Sequence, residues 1–221
     1  MKTAKKAMLM TLCAIILVVA TVFGTMAYLT STDKVTNTFT VGNVAIKLDE
    51  AKVGTDGKAL TGADATRVKE NSYKLLPGHT YNKDPMVTLL AGSEESYVKM
   101  TVTFSKANEL DAIFAPNGAD LTSIFNGYDS ASWIAKGNTK DADANTRTYE
   151  FWYKEAVGAP TADVALDALF DSITVPGTIT KDQLATIEGM TITVNAYAIQ
   201  ADGFDDAAAA WEAFEGVSTG R

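Results

Sequence analysis

His79 is the only histidine in the chain, and that limits the chemistry open to it. A catalytic zinc is commonly held by two histidines one helical turn apart, with a glutamate nearby as base. A lone histidine following Pro77-Gly78 builds no such site, so His79 reads as a surface turn residue. The serines lack both a second histidine and a G-x-S-x-G elbow, so no nucleophilic triad is set up. Glu94-Glu95 and Asp205-Asp206 are paired carboxylates that could meet a cation, but neither has the oxygen-rich loop spacing of a calcium site. Solvated turn and helix-cap roles suit them better. These residues predict no catalytic centre, no metal site and no cofactor.

The clearest chemistry is done on the chain rather than by it. Lys2, Lys5 and Lys6 precede an apolar run over 7–24, and the small residues Thr25 and Ala27 follow at the minus-three and minus-one places for cleavage between Ala27 and Tyr28. This predicts a signal peptide over 1–27 and an exported domain over 28–221. An uncleaved anchor is the alternative, because the run approaches the roughly 20 residues that span a bilayer. Either way the chain leaves the cytoplasm, and membrane contact comes only through the signal segment before cleavage. Cys13, the one cysteine, lies inside the apolar run behind Leu12, where a lipobox wants a small residue. The exported part therefore has no disulfide to stabilise it.

The whole chain carries a formal charge of −8, and loss of the three leader lysines makes it more negative by the same three charges. An acidic surface of this kind excludes nucleic acid as a partner and favours solubility at low concentration. It must be screened before copies pack closely. The remaining length suits one sandwich or barrel domain.

The elements that would position any site are mostly strands. Val35, Phe39 and Val41 alternate with Thr36, Thr38 and Thr40; after Gly42-Asn43, Val44, Ile46 and Leu48 resume the pattern against Ala45, Lys47 and Asp49. Residues 51–71, with Gly54, Gly57 and Gly62, show no sustained period and read as a surface insertion. A turn at Pro77-Gly78 leads to a short apolar strand over 86–90. The best strand covers 97–104, with Val98, Met100, Val102 and Phe104 on one face.

Leu110, Ile113 and Phe114 fit a short helix, and Leu121, Ile124 and Phe125 repeat its spacing. Strands over 132–135 and 146–154 form a hairpin, and an edge strand over 172–175 ends at Pro176. Thr180 caps a short helix, a long alternating strand fills 190–200, and Asp205 caps a last helix whose Trp211 and Phe214 form one apolar edge that docks on the domain. This pattern predicts a mainly β fold: a jelly-roll-like, two-sheet sandwich with short helical insertions and a C-terminal helix, preceded by the signal helix.

Three stretches carry a resemblance: GTMAYLTSTDKVTNTFTVGNVAIKLDE after the signal, LLPGHTYNKDP before a strand, and ITVNAYAIQADGFDDAAAAWEAF near the end. Together they resemble the TasA/camelysin family of Gram-positive exported matrix proteins. The resemblance implies a jelly roll, release by the dedicated signal peptidase SipW, and assembly with copies of itself into extracellular biofilm-matrix fibres. It also suggests donor-strand exchange, with Val35, Phe39 and Val41 filling a neighbour's pockets; the alternative is that this strand completes its own sheet. Some family members carry a metallopeptidase label, which does not transfer because the residues needed are missing. A cell-surface metallopeptidase and a monomeric surface adhesin are the alternative readings.

Overall fold

The computed structural model describes residues 42–114 and 125–218. By its contacts the chain divides into Met1–Val41 and Gly42–Arg221, and every element below belongs to the second unit. The signal peptide, the cleavage point at Ala27 and Tyr28, and the strand residues Val35, Phe39 and Val41 lie outside the described residues. So does the second helical turn expected around Leu121.

Ten strands follow in chain order: β1 (Ile46–Ala51), β2 (Arg67–Val68), β3 (Thr80–Asn82), β4 (Met86–Leu89), β5 (Ser96–Ser105), β6 (Trp133–Asp141), β7 (Thr146–Tyr153), β8 (Val164–Ala165), β9 (Ser172–Thr174) and β10 (Ile192–Gln200). Among the described residues three α-helices interrupt or close them, α1 (Ala107–Phe114), α2 (Lys181–Thr186) and α3 (Ala207–Ser218), with one 3-10 turn over Gly62–Asp64. One sheet runs β2-β1-β4-β8 and another β10-β5-β7-β6, while β3 and β9 form a separate ribbon. All pairings are antiparallel.

The expected alternation of β5 is realised. Val98, Met100, Val102 and Phe104 are all buried, and they share one core with Val87 of β4, Tyr149 and Phe151 of β7, and Phe125, Leu166, Leu169 and Phe170. Ile46 and Leu48 of β1, and Ile192, Val194, Ala196 and Ala198 of β10, pack on the same cluster. The two four-stranded sheets therefore bury their inner rows against a common interior, as two-sided alternation requires. Phe125 and Phe170 stack at 4.2 Å, with Tyr149 meeting Phe125 edge-on and Phe104 tilted against it.

Local chemistry accounts for the turns and caps. The Pro77-Gly78 turn is present, with Gly78 at a φ of 74° and the His79 N–H returning to the Leu76 carbonyl. Thr180 begins α2 with a full capping box: its hydroxyl accepts from the Gln183 N–H, and the Gln183 side chain accepts from the Thr180 N–H.

At α3 the expectation shifts by one residue. Asp206, not Asp205, accepts the Ala209 N–H, because its carbonyl already receives the Ala210 N–H and its side chain faces the first turn. The first strand of the hairpin is also longer than its apolar content suggested. β6 runs to Asp141 through exposed residues because β7 supplies its hydrogen bonds along the whole length, with a bulge between Ala135 and Gly137.

Candidate functional site

His79 stands exposed in its turn, its Nδ1 3.1 Å from the Pro77 carbonyl. Glu94, Glu95, Asp205 and Asp206 are exposed as well. Among the described residues no three histidines, cysteines or carboxylates come together to hold a metal, and no helix is long and apolar enough to cross a membrane. Trp211 is buried on the outer face of the β10-β5 sheet, 5.7 Å from Phe214, which in turn lies 5.6 Å from Tyr197 of β10. The C-terminal helix is thus docked, and its apolar edge is covered by the sheet.

Strand edges are the surfaces through which a β protein meets another chain. In the first sheet the edge strands β2 and β8 have two residues each, too short to template a partner. In the second sheet β6 and β10 both have nine residues but differ in character. β6 carries Lys136, Lys140 and Asp141 and a bulge, devices that discourage edge pairing. β10 is regular, with every residue from Ile192 to Gln200 in register with β5, and it carries no charged side chain. Its inward row, Ile192, Val194, Ala196 and Ala198, packs on the core yet stays only partly buried. Among the described residues β10 pairs with β5 alone.

A second constellation escaped the sequence reading. The alternation puts Asp49 on the solvent face of its strand, and that expectation is corrected; 51–71 is largely exposed, as a surface insertion should be, yet it supplies Arg67 and Asn71 to this cluster. Asp49 and Glu50 are buried, because cations from other segments fold over them. Arg67, on β2 within that surface segment, bonds Asp49 through Nε and Asp84 through Nη1 at 2.8 Å. Burial works against charge on Asp49, but bonds from Lys47 and Arg67 outweigh it and hold the carboxyl below its ordinary value.

Beside this pair, Lys83 Nζ donates to Glu50 Oε2 at 2.7 Å and Asn71 Nδ2 donates to Glu50 Oε1 at 2.9 Å. Asn71 Nδ2 also reaches the Ala51 carbonyl at 2.9 Å, and Asn71 Oδ1 accepts the Val53 N–H at 3.0 Å. Tyr73 closes one side, donating to the Asn82 carbonyl. Burial, together with the nearby Glu50 charge, holds its phenol well above the usual range. No motif announces this cluster. Glu50, Asn71 and Lys83 are ordinary residues at unrelated spacings, and only folding brings them together.

Comparison of the chain with protein-family models, curated proteins and solved structures found no match.

Proposed function

We propose that the chain is an exported structural subunit that polymerises outside the cell into biofilm-matrix fibres. A signal peptidase of the SipW type releases it between Ala27 and Tyr28. The domain is a jelly-roll-like sandwich, and the segment over 28–41 acts as the strand donated to a neighbouring copy. The observation that carries this reading is the β10 edge: long, regular, uncharged and, among the described residues, paired on one side only. A strand laid against it would satisfy its outward N–H and C=O groups and cover the partly buried row of Ile192, Val194, Ala196 and Ala198.

Val35, Phe39 and Val41 are the residues that would face inward. Their burial contributes about 1.5 to 3 kcal/mol each, against an ordering cost of about 1 to 2 kcal/mol for every residue fixed. Backbone pairing and repetition along the fibre must make up the difference, so assembly depends on concentration and on salt that screens the acidic surface. Before cleavage the leader holds the donor strand at the membrane, which makes processing the trigger.

The test follows the processed chain by light scattering and negative-stain microscopy, beside variants lacking 28–34 or carrying Phe39→Asp. Folding of each variant is checked by circular dichroism. Both changes are expected to abolish fibre growth while leaving folded monomers. Fibres growing at the wild-type rate with either change would refute the donor-strand reading.

A further inference from the structure

Lys83, Glu50 and Asn71 are arranged as a nucleophile, a proton carrier and an electrophile. The amine of Lys83 and the amide nitrogen of Asn71 sit on the two oxygens of one carboxylate, at 2.7 and 2.9 Å, so Glu50 bridges them. Lys83 and Glu50 are each only 7% exposed, so water is largely excluded and the dipoles around them act at full strength. The orientation of the Asn71 amide is set by its partners. The Val53 N–H can only donate, so it faces Oδ1; Glu50 and the Ala51 carbonyl accept, so they face Nδ2. The carbonyl is thus polarised by a fixed N–H, and the leaving nitrogen is turned toward the group able to protonate it.

The geometry points to an intramolecular isopeptide bond between Lys83 Nζ and Asn71 Cγ, formed by the chain on itself with Glu50 as the catalytic residue. Glu50 Oε2 takes a proton from the Lys83 ammonium, and the freed lone pair attacks Asn71 Cγ. The Val53 N–H stabilises the oxygen as it becomes negative. Glu50 passes the proton to Nδ2 through Oε1 and takes the second amine proton in return. The Cγ–Nζ bond replaces the Cγ–Nδ2 bond, and the nitrogen leaves as ammonia, which takes the proton Glu50 still holds and departs as ammonium. Nothing is oxidised or reduced, and no co-reactant is needed.

The product ties the segment after β2 to the segment after β3. It gives a covalent brace to a chain whose single cysteine rules out an internal disulfide.

Mass spectrometry of the folded, purified full chain tests the proposal without any ligand. The expected intact mass is one ammonia below that of the sequence from the observed N-terminus. In a tryptic digest the cleavage after Lys83 is expected to be lost, and the peptide 70–74 to appear joined to 75–99. Glu50→Gln is expected to keep the full mass and release 75–83 as a separate peptide. Lys83→Arg does the same should Glu50→Gln fail to fold. A wild-type chain of full mass with free 75–83 overturns the proposal. Loss of ammonia with Lys83 still cleavable overturns it too, because Asn71-Ser72 can also lose ammonia by closing to a succinimide.

Discussion

Replacing Trp211 tests whether α3 is an integral layer of the domain. Trp211 is 1% exposed, and its ring lies 4.8 Å from Lys99 Nζ. Lys99 is itself only 4% exposed on the outer face of β5, with Phe214 and Tyr197 at 5.3 and 5.7 Å from its ammonium. Its ion pair with Glu215, at 3.2 Å, is lopsided: the Lys99 side chain is 5% exposed and that of Glu215 61%. The aromatic residues of α3 thus roof a buried cation. Trp211→Ala removes the largest of them and is expected to cost about 3 to 5 kcal/mol in transfer and cavity terms. Lost cation–π attraction adds about 0.5 to 2 kcal/mol.

At about 2 to 4 °C per kcal/mol for a domain of this size, the cavity cost alone lowers Tm by roughly 6 to 20 °C. Lys99→Met keeps the packed stem and removes the charge. It leaves Glu215 in water rather than stranded, so its expected cost is under about 1 kcal/mol. Urea unfolding of both variants, with hydrogen exchange over 207–218, supplies the measurement. A Trp211→Ala cost below about 1 kcal/mol, or 207–218 exchanging freely in the wild type, would refute a docked helix.

Two further substitutions probe the β3-β9 ribbon and the first sheet in turn. Gly57 sits at a φ of 74°, and a Cβ there would lie 2.2 Å from Tyr81 Cδ1; Gly57→Ala is expected to cost about 2 to 5 kcal/mol in denaturant unfolding, through backbone strain and displacement of a buried ring. Asp49 and Asp111 both have carboxyls held below their ordinary values in the fold, burial being outweighed by bonds from Lys47 and Arg67 at Asp49 and from Arg147 and Lys140 at Asp111. Their contribution is present above the unfolded value of about 3.9 and is lost as pH falls through the lower folded value. Stability should therefore drop steeply below about pH 4. Asp49→Asn should be weaker at neutral pH and flatter in acid when Tm is followed across that range.

Much of the framework was legible from residues close together in the chain. The alternation over 97–104 marked β5 and its inner row, Pro77-Gly78 marked its turn, and Thr180 with Gln183 marked the start of α2. Each depends on backbone geometry within a few residues, so sequence spacing alone carries the signal. Strand order was a different matter. That β10 pairs with β5, and β9 with β3, is decided by competition among segments that differ little in local pattern.

The burial of polar groups was least legible of all. Asp49 and Lys99 occupy positions in their strands that alternation assigns to the outer face, and each is buried only because a distant segment covers it. Arg67 folds over Asp49, and α3 over Lys99. Glu50, Asn71 and Lys83 became one site by the same route, since a buried charge survives only beside partners that satisfy it. Strands, turns and caps are thus written locally in this sequence, whereas the partners of its buried charges are chosen by long-range packing that places distant side chains within bonding distance.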